Sequence, residues 1–329
     1  MDCLICAMDA NQPNPRPPGI SLDSSQWTVA DAIPEFVIEY PPPPRARRVW
    51  LPVLLFFITC LSTFTAGALF SDHCPESWWS LDAWWPAMVD GLMYAGAVMT
   101  ILFCHEMGHF LQAWRYGVYA SLPYFIPMPL TPIGTFGAVI AMDPRRGDRK
   151  AIFDIGISGP LAGLVPTLLF LWLGLRWSEY QPIPHDDIVF WPPLLVKLMA
   201  SSMYGPIPAG NCLHYHPIAF AGWVGLLISS INLIPIGQLD GGHILYGMFR
   251  QKAHAVSIAV LVLAIWASIA LKLTSWWLML GLITIMGTRH PPSTDDSVPL
   301  GTGRYVLGIV TLAFLLLGFT PVPMSVTGH

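Results

Sequence analysis

A chain of 329 residues that is 54% hydrophobic and only 11% charged, with a mean hydropathy of +0.55, excludes an ordinary soluble domain, where about 25% of residues are charged. This is the composition of a multi-span membrane protein with the lipid bilayer as its solvent. The net charge of −4 says little by itself, and nothing in the composition calls for a nucleic-acid partner.

Residues 1–49 read as a cytoplasmic, Pro-rich tail. Cys3 and Cys6 form a single CxxC with no second pair nearby, so a structural zinc site is not expected there. The first residues lack the basic region and apolar stretch of a secretory signal. They also lack the Arg- and Ser-rich character of a transit peptide, which makes a bacterial cytoplasmic membrane the expected home. Pro41 to Pro44 form a stiff linker. Arg45, Arg47 and Arg48 then abut a first transmembrane helix over 50–70, about 20 residues, enough for a ~30 Å hydrocarbon core. A Trp-rich, acidic loop is expected over 71–87. A second span, 88–114, carries His105-Glu106-Met107-Gly108-His109 near its end.

The stretch 121–142 is apolar, but Pro123, Pro127, Pro129 and Pro132 would break a helix. Phe136, Val139 and Ile140 favour extended chain. It reads as a re-entrant loop or β-hairpin dipping into the membrane, where non-helical backbone survives only beside protein or a water-filled cavity. Arg145, Arg146, Arg149 and Lys150 precede a third span, 151–177, whose Gly156, Gly159 and Gly163 let helices approach closely. An outside loop, 178–215, leads to a fourth span, 216–236, which ends in NLIPIGQLDGGH (232–243). Three C-terminal transmembrane helices fall within 254–320. With the N-terminus inside, 13 of the 16 Lys and Arg lie on inside segments, as the positive-inside rule asks. The expected fold is thus an all-α polytopic membrane protein of about seven transmembrane helices. Its catalytic core would span 88–250, with the active site near the cytoplasmic side.

His105 and His109 lie one helical turn apart on one face and can share a zinc ion, with Glu106 on the same edge to act on zinc-bound water. Two His and a Glu inside a lipid span are costly enough to indicate function. A catalytic zinc takes three protein ligands. Asp240 is the best third candidate, because it borders a span at a similar depth; His243 is the alternative. The chemistry indicated is metal-assisted peptide hydrolysis, with Glu106 taking a proton from water and returning it to the leaving amine. An extended edge over 134–140 could hold an unwound substrate by strand addition. His73, His185, His214 and His216 read as solvated or loop-capping groups. Cys74 and Cys212 share the outside, where a disulfide is permitted.

HEMGH, ISGPLAGLVPTL and NLIPIGQLDGGH, in this order and with GTFGAVI between the first two, resemble the site-2 protease family of intramembrane zinc metalloproteases. The resemblance covers about residues 88–250. It implies one Zn2+ per chain held by His105, His109 and Asp240, with Glu106 as catalytic base. It also implies that Asn232 and the loop with Gly134, Thr135, Phe136 and Gly137 position the substrate, a transmembrane protein, in regulated intramembrane proteolysis. The 178–215 loop has no room for the PDZ domain of many members. Gly237 stands where many have proline, similar to the branch that includes the plastid members. Rival readings are a catalytically inactive relative that binds or escorts membrane proteins, a zinc protease with Glu as third ligand, and, more weakly since no paired repeat is visible, a transporter with a metal site. The intact motif set opposes the first, and the scarcity of Glu after Glu179 the second.

Overall fold

The computed structural model describes residues 49–75, 81–143, 146–185, 188–273 and 276–326. The N-terminal tail, with Cys3, Cys6, the Pro41–Pro44 linker and Arg45, Arg47 and Arg48, lies outside the described residues, as does the Trp78-Trp79 pair.

Helix α1 (Trp50–Leu69) is followed by α2 (Leu81–Arg115) and a hairpin of β1 (Tyr124–Met128) and β2 (Gly134–Val139). Then come α3 (Arg149–Leu175), β3 (Glu179–Pro182), β4 (Ile188–Phe190), α4 (Leu194–Tyr204), β5 (Asn211–His214) and α5 (Pro217–Asn232). The chain continues through α6 (Asp240–Phe249), α7 (Ala253–Ala270), α8 (Trp277–Met286), α9 (Thr302–Ala313) and α10 (Leu315–Gly318) to β6 (Met324–Val326). Among the described residues, four helical stretches are long and apolar enough to cross a membrane: Trp50–Leu69, Asp82–Arg115, Arg149–Leu175 and Asp240–Ala270.

Two features differ from the sequence expectation. The 71–87 loop is shorter than expected, because α2 begins at Leu81 and carries Pro86 inside it. Pro86 sits in the second turn, where its missing N–H costs one bond close to the helix end. The fold is also not purely helical. Besides the β1–β2 hairpin, β3 pairs with β5 and β4 with β6, each as an antiparallel two-stranded sheet.

Helix α3 is the hub, packed against α2, α5 and α6. Its N-terminal Arg149 is buried at 3% exposure. The guanidinium donates from Nε to the Gly247 carbonyl at 2.6 Å and from Nη2 to the Met248 carbonyl and the Tyr305 hydroxyl at 2.7 Å each. The last carbonyls of a helix have no partner within it, so Arg149 caps α6 from outside and joins α3, α6 and α9. Helix α1 packs against α2 and the hairpin. Ser62 Oγ donates to the Gly134 carbonyl and Tyr94 OH to the Ile133 carbonyl, both at 2.6 Å. The hairpin tip is therefore fastened to the middle of two long helices.

Candidate metal centre

His105 and His109 lie on α2, one turn apart, at 3% and 5% exposure. Asp240 is the first residue of α6, after α5 stops at Asn232 and the chain turns through 233–239. A helix N-terminus favours a carboxylate. Gly237 makes this turn possible: its φ is +55°, and a Cβ there would lie 2.3 Å from the Gly287 carbonyl oxygen.

The three side chains converge. His105 Nε2 lies 3.1 Å from Asp240 Oδ2, His109 Nε2 lies 3.2 Å from Asp240 Oδ1, and the two Nε2 atoms are 3.2 Å apart. They form the one metal-competent group among the described residues. A tetrahedral zinc ion with bonds of about 2.05 Å holds neighbouring ligand atoms about 3.3 Å apart. The donor set and its spacing therefore fit zinc.

The hydrogen bonds behind the ligands agree. His109 Nδ1 donates to the Ile155 carbonyl at 2.8 Å, which fixes the tautomer and leaves the Nε2 lone pair for a metal. Room for that arrangement comes from α3: a Cβ on Gly159 would lie 1.9 Å from His109 Nε2. Glu106 is 3% exposed and interacts electrostatically with His105, His109 and Asp240. Asn232 Nδ2 lies 3.5 Å from His105 Nε2.

His243 is not in the group. Its Nδ1 lies 2.6 Å from His290 Nε2, and His290 Nδ1 lies 2.6 Å from the Pro291 carbonyl. A carbonyl only accepts, so His290 donates from Nδ1 and accepts from His243 at Nε2. Tyr246 stacks on His290, with centroids 4.2 Å apart. Burial pushes the His290 imidazole down to about 4, so it stays neutral. His290 carries no sequence signal of its own, and no local pattern points to a partner 47 residues from His243.

In the hairpin, Gly134 pairs with Met128 and Thr135 with Pro127, and the register shifts between Phe125 and Pro127. Thr135 Oγ1 accepts from Gly137 N at 3.0 Å and lies 2.9 Å from the Ile126 carbonyl. Phe136 projects outward, 47% exposed. Gly137 faces Ile228 of α5. The hairpin thus lies between α1 and the helix that leads to Asp240. Cys74 and Cys212 are both free thiols. His214 pairs with Asp72 and His73 with Asp90, and neither pair belongs to a metal-competent group of the described residues.

Residues 93–273, more than half of the chain, match the family model of peptidase family M50. Similar curated proteins include the probable zinc metalloprotease EGY1, chloroplastic, of Arabidopsis thaliana, 32% identical over 251 residues, 72% of this chain and 44% of that protein. The protein of that name from Oryza sativa subsp. japonica is 32% identical over 252 residues, 72% of this chain and 42% of that protein. The probable zinc metalloprotease EGY2, chloroplastic, of Arabidopsis thaliana is 32% identical over 249 residues, 73% and 43% of the two chains. The chain thus spans less than half the length of these relatives. They are chloroplastic, so they lend no support to a bacterial cytoplasmic membrane; the apolar helices support a membrane location.

Proposed function

The chain belongs to peptidase family M50, the site-2 protease family, and on that premise we propose that it is a zinc-dependent endopeptidase cutting peptide bonds in or near transmembrane segments of other membrane proteins. The observation that carries this reading is the convergence of His105, His109 and Asp240 at 3.1–3.2 Å in a buried site. One zinc ion held by these three would supply Lewis acidity, lowering the pKa of water to about 7 and polarising the scissile carbonyl.

The chain's own residues do the rest. Glu106, one residue along α2 from His105, takes the proton of the attacking water and delivers it to the leaving amine. The Ile155 carbonyl holds the His109 ring in orientation. Asn232 offers an amide donor beside His105 to a substrate carbonyl. A substrate helix hides its peptide bonds in its own hydrogen bonds and must unwind first. The β2 strand, from Gly134 to Val139, offers an edge to hold it by strand addition.

The seven-pass reading with a re-entrant hairpin belongs to the same proposal. Strand β4, between α3 and α5, pairs with β6, after α10, which supports putting both on one face. Arg149 N donates to the Asp295 carbonyl at 3.1 Å, which supports putting the α8–α9 connection on the opposite face, with the start of α3. The hairpin tip bonds to Ser62, 12 residues into α1, about 18 Å from its start at ~1.5 Å per residue. That depth supports re-entry, and the charge count supports an inside N-terminus.

The test is a paired measurement of zinc content and cleavage of a single-span substrate by the parent and Glu106→Gln. The expected outcome is full zinc occupancy with cleavage reduced by about 10²–10⁴-fold. Parent-like cleavage by the variant would sink the mechanism.

A further inference from the structure

Asp90 is a carboxylate that the metal centre does not use. It lies on α2, 15 residues before His105, about 22 Å toward the far end of the bundle at ~1.5 Å per residue. It is only 8% exposed. Its Oδ2 accepts from Ser71 Oγ at 2.5 Å and from His73 Nδ1 at 2.7 Å. Its Oδ1 has no partner among the described residues, and no Lys or Arg there pairs with it. A carboxylate buried on a helix apolar enough to cross a membrane is expensive and marks a functional position.

Asp90 borders a cavity of about 530 Å³. Asp72 and Glu179 add acidic groups to its lining, while no Lys or Arg lines it. Aromatic rings, among them Trp177, Tyr215 and Phe220, form much of the rest. The Tyr215 hydroxyl is buried without a partner among the described residues. Acidic groups set among aromatic faces suit a cation on an apolar stem. His73 covers Oδ2 from the solvent side, its own side chain 62% exposed. The cavity also adjoins the hairpin: Tyr94, one turn from Asp90 and part of the lining, donates to the Ile133 carbonyl at the hairpin tip.

Resting on the protease reading, we propose that this cavity receives a Lys or Arg side chain on the far flank of the substrate's transmembrane segment, with Asp90 as its counter-charge. The span from Asp90 to His105 sets the position. About 22 Å corresponds to ~7 residues of extended chain or ~15 of helix between that side chain and the scissile bond. Basic residues are scarce on the outer flank of membrane spans, so the site discriminates among substrates.

The experiment uses the full chain in phosphatidylcholine vesicles. Single-span substrates carry one Lys, Gln or Glu at each position from about 6 to 15 residues beyond the scissile bond. Lys within one window should lower KM about tenfold relative to Gln, and Glu should raise it. In Asp90→Asn the Lys-to-Gln ratio should collapse toward one. The idea fails if the parent shows no charge preference at any position, or if the preference persists undiminished in Asp90→Asn. Should Asp90→Asn lose its zinc and fold, the charge scan on the parent still decides. Binding of labelled substrates to Glu106→Gln, read by fluorescence anisotropy, separates the two claims. Lys-dependent binding without parent cleavage overturns the protease reading alone, and cleavage with no charge preference overturns the docking site alone.

Discussion

Two ends of the same helix pair imidazoles with carboxylates, and they do so differently. Near the C-terminus of α2, His105, His109 and Asp240 hold their ligand atoms 3.1–3.2 Å apart around a common centre. Toward its N-terminus, His73 meets Asp90 at 2.7 Å and His214 meets Asp72 directly, each as a pair. Separations of 3.1–3.2 Å among four atoms of three side chains, two of them imidazole nitrogens, leave room for an ion. A single 2.7 Å contact is the length of one charge-assisted hydrogen bond. The same residue types stand at both ends; spacing and convergence separate them.

The largest effect should come from closing the gap at the metal end. Gly159→Ala puts a methyl group 1.9 Å from His109 Nε2, where no side chain can yield without moving the ligand. Zinc content should fall to background, and cleavage with it. Gly96→Ala, on α2 with nothing within 4 Å of the added Cβ, is the matched control and should keep both. If Gly159→Ala holds a full complement of zinc, the ligand geometry drawn from α2 and α3 is wrong.

How much of this could be read from residues alone follows from what each feature depends on. That HEMGH sets His105 and His109 one turn apart on one helix face was legible because helical period is local. The hairpin was legible for the same reason, since four prolines forbid helix between Ser121 and Met142. Placing Asp240 beside His109 needed topology as well. The β3–β5 and β4–β6 pairings were not legible. They join segments of three or four residues across long separations, with no local period to betray them. Asp90 was missed because a single acid in an apolar run has no pattern, and its partners come from the preceding connection. Arg149 counted only as one of thirteen inside cations, though it is buried and caps the helix that carries Asp240.

That capping gives the next prediction. Arg149→Met removes donors to the Gly247 and Met248 carbonyls and leaves both acceptors buried. Losing the charge-assisted bonds and leaving the Gly247 carbonyl without its donor, while Tyr305 OH still donates to the Met248 carbonyl at 3.0 Å, should cost about 2–4 kcal/mol. A lower unfolding temperature in detergent should appear together with weaker zinc binding, because α6 starts at Asp240. Arg146→Met, whose side chain is 57% exposed, should change stability by less than about 0.5 kcal/mol. Equal effects of the two variants would mean that α6 is held by something other than this cap.

The smallest effect tests the far end, and its sign is the informative part. The hydrogen bond to Asp90 raises the His73 pKa, against a smaller opposing effect of burial and with help from the Asp90 and Asp72 charges. A raised folded value means that the contact stabilises the fold fully below the unfolded value of about 6.5. The stabilisation is lost as pH rises through the folded value. With the imidazole largely exposed, solvent screening holds the effect to a few tenths of a kcal/mol. The deficit of His73→Gln against the parent in thermal unfolding should be largest below about pH 6.5 and shrink as pH rises above it. Zinc binding at the other end should run the opposite way, weakening on acidification as protons compete for the imidazoles. Opposite slopes from the same residue types in one protein are what a proton-sharing pair and a metal centre require. A flat His73→Gln deficit would instead make the far-end contact a neutral hydrogen bond, leaving Asp90 without even a part-time counter-charge and its need for an external cation greater.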